Sequence, residues 1–308
     1  MCNMSVEEFK EFIKNNRNGF FETPYELVYR VFCENGFDAQ TPDFFAQNAS
    51  SVVEILREGS WNSYLPRERE FISLMLNSLI NVETIDNLSS RDAVSHFIET
   101  YPDYMYQLSL SVTNSRRSRA GKEFEAIIEL ILMGAGIPMD TQGNIGRRQF
   151  ADRGLGKLVD VVSPGVVEYY IERGDVVLIS AKTTLRERWQ EVPEEMDRTG
   201  AGIMYLATLD ENISDDVLQT LYDNRIRVTT TRSIKEEKYP NNDRVLDFEN
   251  LIRRCLQAYS NHWENHDYTI EQSEQIRNTI ELQIRKHQNH DFVIQRYANR
   301  LQRFAGNE

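Results

Sequence analysis

Three cysteines in 308 residues, Cys2, Cys33 and Cys255, cannot make a paired framework, and no CxxC or CxxH spacing occurs. Neither a disulfide scaffold nor a structural zinc site is expected. Basic residues are also in deficit. The 35 Lys and Arg stand against 48 Asp and Glu, a formal charge of −13, which argues against a protein that coats nucleic acid without regard to sequence. No run approaches the roughly 18 apolar residues of a membrane helix. The N-terminus, MCNMSVEEFK, carries acids rather than a basic segment followed by an apolar one. A cytoplasmic protein with no membrane partner is expected. There are no repeats and no low-complexity tract. An apolar content of 40% over this length allows one large domain or two small ones with ample core.

Helix signals fill the first part of the chain. Ser5 with Glu8, and Thr23 with Pro24 and Glu26, are capping boxes ahead of apolar stripes, and Asn35-Gly36 ends the second helix. Ser51 with Glu54 opens a shorter helix that Gly59 is expected to stop, and a longer one follows Pro66. From Ser118, read as the cap of a helix ending at Gly134, the grammar changes. Apolar runs LVDVV (158–162), VVEYYI (166–171), VVLISA (176–181), IMYLAT (203–208) and IRVTTT (226–231) read as strands covered on both faces. Helices are expected from 185 and after Ser214. Beyond Pro240 the chain returns to helix, with a sparse stripe over 268–304 that suits a neighbouring element or a second subunit. The expected fold is α/β: a helical region over 1–112, a core over 113–235 with a central mixed sheet flanked by helices, and a C-terminal helical extension over 236–308.

Charge is unevenly spread. Residues 114–188 hold 12 Lys and Arg against 10 Asp and Glu, a local +2 that leaves −15 for the rest. The basic residues cluster in NSRRSRAGK, RRQFADRGLGK and KTTLRER. Such clusters are commonly solvated faces, but here they adjoin two charges in unusual places. Asp160 sits inside an apolar strand, and Lys182 ends another 22 residues later. Side chains alternate in a strand, so Ser180 and Lys182 share a face, and neighbouring strands would bring Asp160 and Lys182 to one sheet edge. Such a pair is either a structural ion pair or a catalytic one. Cys255, His262 and His266 lie close in sequence, but the cysteine fits a helix stripe and no metal is expected there.

The arrangement resembles the nuclease superfamily named for its PD-(D/E)xK motif, in which an Asp and an acid-x-Lys triplet on adjacent strands hold a divalent metal over a phosphate. The sequence departs from the motif twice, with Val159 in place of Pro and Ser180 in place of the second acid. The type II restriction endonucleases that cut CCGG-like sites share the second departure and take the missing carboxylate from the following helix, 13 residues after the Lys. That position is Glu195, with Glu194 as a competitor because Pro193 disturbs the helix phase. A family glutamate on the preceding helix maps to Glu125. The motifs SRAGK, VDVVSP, SAKTT and RERW are similar to those of members that cut before the first C of CCNGG.

The resemblance implies a restriction-endonuclease-like core and a Mg²⁺-dependent enzyme, with Asp160 and Glu195 as metal carboxylates, Glu125 nearby and Lys182 beside the attacking water. The products would carry 5′-phosphates and 3′-hydroxyls. It assigns Arg186, Glu187 and Arg188 to the base edges of CC/GG, where an Arg fork suits guanine and a carboxylate suits the cytosine amino group. It also makes Arg57 and Trp61 a pocket for an extruded central base, against the plain reading of Trp61 as a buried aromatic. Arg116, Arg117, Arg119 and Lys122 are candidate phosphate contacts. A palindromic site is most simply read by a homodimer, whose interface would draw on the C-terminal helices, in a bacterial cytoplasm with a cognate DNA methyltransferase as genetic partner only. The alternatives are a structure-directed repair nuclease and a catalytically silent DNA-binding protein on the same scaffold.

Overall fold

The Ser5 capping box forms as its spacing predicts: the hydroxyl accepts the Glu8 N–H at 3.3 Å and the Glu8 carboxylate accepts the Ser5 N–H at 2.6 Å, opening α1 (Val6–Arg17). The computed structural model describes residues 4–304, apart from the side chains of Glu187 and Arg188; Cys2 lies outside the described residues. Thr23 accepts the Glu26 N–H at 3.2 Å at the start of α2 (Pro24–Glu34). Gly36, at φ 68°, supplies the left-handed residue beyond its end.

The next helix differs from expectation. Gly59 does not stop it and Pro66 does not start another, because α3 (Pro42–Asn77) runs through both and leaves helical geometry only at Asn48. A helix-interior Gly costs about 1 kcal/mol and a Pro about 3 kcal/mol. Against this the helix buries Val52, Val53, Leu56, Phe71 and Met75, each contributing roughly 1.5–3 kcal/mol. The short α4 (Val82–Ile85) and α5 (Ser90–Thr100) lead to α6 (Pro102–Gly134). Pro102 takes the first helical position, and Ser118, expected as a cap, lies in mid-helix because nothing upstream of it breaks the helix.

The chain divides into two units, Met1–Leu27 with Glu58–Glu123, and Val28–Arg57 with Phe124–Glu308. The first is helical around Phe9, Ile13, Phe71, Met75, Leu79, Leu108 and Val112, with Phe20, Phe21 and Tyr104 packed against them.

The second unit holds the sheet. β1 (Asp140–Thr141) leads through α7 (Gln142–Ile145) and α8 (Arg147–Asp152) to β2 (Val161–Ser163), and α9 (Val166–Ile171) precedes β3 (Val177–Lys182). Then follow α10 (Glu191–Thr199), β4 (Ile203–Thr208), α11 (Asp215–Asp223), β5 (Ile226–Thr230), α12 (Arg232–Lys238) and β6 (Val245–Asp247). The six strands lie in chain order, antiparallel from β1 to β3 and parallel from β3 to β6. The expected mixed sheet is present, with one strand fewer in the middle and one more at each edge. VVEYYI is α9 rather than a strand. Pro164 has no N–H for a ladder, and the Asp140 carboxylate accepts the Val166 N–H at 2.8 Å, so the run turns into a buried helix that a short apolar string cannot distinguish from a strand.

Three helices complete the unit: α13 (Phe248–His262), α14 (Ile270–Lys286) and α15 (Asp291–Gln302). The sparse stripe is filled inside this chain. Ile276, Ile280 and Tyr297 are buried, α14 packs on α15, α7 and α9, and Gln283 and Arg300 both donate to Asp140 Oδ1 at 2.8 Å. Of the two readings of the stripe, the buried residues take the first, a neighbouring element of this chain. No helix among the described residues is long and apolar enough to cross a membrane.

Candidate active site

The antiparallel register of β2 on β3 places Val161 opposite Ile179, so Asp160, one residue outside β2, falls opposite Ser180. Its N–H donates to the Ile179 carbonyl and its carbonyl accepts the Gln142 N–H, both at 2.9 Å, fixing the backbone on two sides. The strand alternation read from sequence then brings Lys182 to the same face. Lys182 Nζ donates to Asp160 Oδ2 at 2.8 Å and to the Ala181 carbonyl at 3.0 Å, and the Ala181 N–H donates to the same Oδ2 at 2.7 Å. Burial pushes the Asp160 carboxyl above the usual carboxylate range, against the downward pull of the ammonium and the Ala181 N–H. An ammonium has three N–H groups, so two of them are engaged here and one is left for a water or a phosphate oxygen. Ser180, where the motif has an acid, is fully buried and contributes no carboxylate.

Glu195 projects from α10, whose helical period separates it from its neighbour. The Glu195 side chain is 10% exposed and the Glu194 side chain 70%. Glu194 pairs with Arg198 on the outer face; Glu195 Oε2 lies 4.0 Å from the same guanidinium, but its Oε1 is buried without a hydrogen-bond partner among the described residues. An orphaned buried carboxylate oxygen is costly unless something else satisfies it. Glu195 stands over Gly156, four residues before Asp160, and a Cβ on Gly156 would overlap its carboxylate. The loop is held in turn by Gln142, whose Nε2 donates to the Val159 carbonyl at 3.1 Å. Sequence reasoning passed over Gly156; its only signal was a glycine in a charged loop, RGLGK. Two carboxylates that offer oxygen donors suit a hard divalent cation that keeps part of its water shell. No group of three or more His, Cys, Asp or Glu able to hold a metal alone occurs among the described residues. Cys255 is buried in the α13 stripe, where its thiol is pushed up to about 12, and His262 pairs with Asp175 at 3.0 Å. Glu125 lies half-buried on α6.

The family model described as EcoRII C terminal matches residues 85–252. The chain is 48% identical over 263 residues to the type II restriction enzyme SsoII of Shigella sonnei, covering 85% of this chain and 86% of the relative. It belongs to the type II restriction endonucleases. Among solved structures, metal-depleted Ecl18kI in complex with uncleaved, modified DNA matches with a TM-score of 0.93 at 46% identity, over 97% of this chain and 100% of that one. A complex of the restriction endonuclease PspGI with substrate DNA matches with a TM-score of 0.57 at 19% identity, over 79% of this chain and 95% of that one; it bears on the fold alone.

In this type II endonuclease, a site-specific deoxyribonuclease, Arg186 follows Lys182, the last residue of β3, by four residues and is exposed at the start of a 3₁₀ turn, Arg186–Gln190, that precedes α10. The side chains of Glu187 and Arg188 lie outside the described residues. Of the four basic residues in SRRSRAGK, two are committed within their own unit. Arg116 donates to Glu68 at 2.8 and 2.9 Å, and Arg119 donates to Glu123 at 3.0 Å and to the Glu22 carbonyl at 2.7 Å. Arg117 and Lys122 are exposed. Trp61 is not the buried aromatic of the plain reading: it is 43% exposed, with the Arg116 guanidinium 5.5 Å from its ring centroid. Arg57, also exposed, precedes it by four residues on the uninterrupted α3.

Proposed function

We propose that this endonuclease makes Mg²⁺-dependent double-strand cuts in DNA at CCNGG, before the first C, acting as a homodimer and extruding the central base pair. The observation that carries the reading is the Asp160–Lys182 pair at the ends of adjacent strands together with the orphaned Glu195 oxygen. A bound divalent cation would supply charge neutralisation at the scissile phosphate and acidify a water at neutral pH. Asp160 and Glu195 are the residues to hold it. Lys182 orients the water with its remaining N–H and offsets the charge that develops on the phosphorane oxygens. The association of Ecl18kI with DNA, and the palindromic symmetry of CCNGG, support double-stranded DNA and a two-fold assembly. Supercoiled plasmid with Mg²⁺ should yield discrete fragments ending at CCNGG. A smear would favour a structure-directed nuclease, and no change a silent DNA-binding protein.

The two adjacent glutamates separate cleanly. Glu195→Ala is expected to lose cleavage by about 10²-fold or more, in the range of other lost transition-state contacts, whereas Glu194→Ala should cut within a few-fold of the parent in single-turnover assays. The reverse pattern would transfer the role to Glu194.

Extrusion rests on the exposed Trp61. Unstacking a base costs a few kcal/mol, and stacking on an aromatic ring returns about 1–3 kcal/mol per base, so two copies of Trp61, with Arg57 beside each base, offset much of that cost. Stacking needs only a π face, so any N is tolerated. A fluorescent purine analogue at N should brighten on binding, and Trp61→Ala should weaken binding while raising that signal. An analogue that stays stacked with both proteins returns Trp61 to a purely structural role.

A further inference from the structure

We propose that Asp210 is a positioning residue for sequence readout, acting through the backbone of Leu185 on the Arg186–Arg188 triplet. The proposal rests on the reading of that triplet as the base-contacting element. Between Lys182 and Arg186 the chain leaves β3 and must present the triplet without the support of a ladder. Arg186 adopts φ 45°, a left-handed conformation that a side chain with a Cβ enters at a cost and holds only when its surroundings over-determine it. The residue before it is the fixed point. Leu185 is buried, and its N–H donates to Asp210 Oδ2 at 2.8 Å.

Asp210 is itself anchored from several directions. It lies two residues beyond β4, whose last residue, Thr208, is paired in parallel register with Lys182. Its other carboxylate oxygen accepts the Asn212 N–H at 3.0 Å, its own N–H donates to Thr208 Oγ1 at 3.2 Å, and its carbonyl accepts the Tyr239 hydroxyl at 2.9 Å. Tyr239 Oη in turn accepts the Ile213 N–H at 3.0 Å. A second strut runs parallel, the Leu209 N–H donating to the Thr183 carbonyl at 3.3 Å. The carboxylate thus ties the readout loop to the strand end beside Lys182, fixing the spacing between the group that cuts and the groups that read. A charged acceptor is used where a neutral one would fit because charge-assisted bonds are shorter and roughly twice as strong.

The test compares the dimeric enzyme with Asp210→Ala, Asp210→Asn, Arg186→Ala and the double variant Asp210→Ala/Arg186→Ala. Two quantities are read: the ratio of binding to a CCNGG duplex over one with a single altered C:G pair, and hydrogen exchange of the peptide spanning 183–190 in the free protein. Asp210→Ala should lower the ratio about tenfold, the scale of losing a hydrogen bond to a charged group, and speed exchange in that peptide, with non-specific affinity unchanged. Asp210→Asn keeps one acceptor oxygen for the Leu185 N–H and should recover most of both. The double variant should lose little more than Arg186→Ala alone, since both act through one element. A full ratio in Asp210→Ala with a damaged one in Arg186→Ala overturns the proposal and spares the readout assignment. An undamaged ratio in Arg186→Ala overturns the readout assignment itself. Additive losses in the double variant would place Asp210 outside the triplet's path and also overturn the proposal. Should Asp210→Ala fail to fold, exchange and discrimination in Tyr239→Phe, which frees the Asp210 carbonyl, decide the same question: parental values there overturn it.

Discussion

Lys182→Ala is expected to reduce single-turnover cleavage of a CCNGG duplex by at least about 10³-fold, the upper range for removing one preorganised donor from a phosphoryl or acyl transition state, while specific binding survives. The expectation follows from how the ammonium is held. Two of its donors are fixed by Asp160 Oδ2 and the Ala181 carbonyl, so the third is aimed before substrate arrives and needs no reorganisation during the reaction. Lys182→Arg should not restore the rate, because a planar fork cannot reproduce a point charge at that spot. Removing the ammonium also leaves Asp160 buried without its counter-charge, which pushes an already raised carboxyl further toward its neutral form. Rates from single-turnover quench assays and affinities from gel shifts on the same preparations decide the matter. Cleavage by Lys182→Ala within tenfold of the parent would reduce the pair to a structural ion pair.

The second large effect concerns discrimination. Arg186→Ala, Glu187→Ala and Arg188→Ala should each cost about 1–3 kcal/mol, roughly five- to 150-fold, of specific over non-specific binding. Guanine offers two acceptors to an Arg fork in the major groove and cytosine offers a donor to a carboxylate, so an alternating Arg-Glu-Arg run can address the adjacent C:G pairs of CC/GG. Residues that touched only phosphates would instead weaken cognate and unrelated DNA alike and flatten the salt dependence. Competition titrations at two salt concentrations separate the outcomes, and equal losses on both DNAs would count against base contacts.

What could be read beforehand follows a physical division. β4 was legible to its ends because IMYLAT is a buried parallel strand with a continuous apolar run, and the α1 cap was legible because Ser5 and Glu8 carry their own geometry. Asp160 and Lys182 stood out because charge inside an apolar strand is rare, and alternation alone predicted their common face. The failures lie where tertiary context outweighs local preference. Gly59 and Pro66 are local helix breakers, yet the buried stripe of α3 carries the helix through them. VVEYYI has the composition of a strand but starts just after a proline turn, where the Val166 N–H donates to the Asp140 carboxylate. β1 and β6, two and three residues long, carry too few side chains for any period to register. The choice between Glu194 and Glu195 turned on a helix phase that Pro193 obscured, and only the helix itself resolves which side chain is buried.

If Glu195 holds the metal as proposed, the loop at Gly156 carries a consequence for how such a nuclease is lost. The room beside Glu195 is made by a missing side chain, and glycine is the one residue that lacks a Cβ, so any other residue at this codon requires the Glu195 carboxylate to shift from its place. A gene whose product cuts DNA is under pressure to be silenced whenever its host's protection lapses. Position 156 then offers a wide mutational target that leaves the chain's length and surface charge nearly intact. Survivors of such a selection should carry changes at this inconspicuous loop residue as well as at the charged positions proposed to perform the cut, and a collection of inactive alleles would reveal the glycine without any prior account of the chemistry.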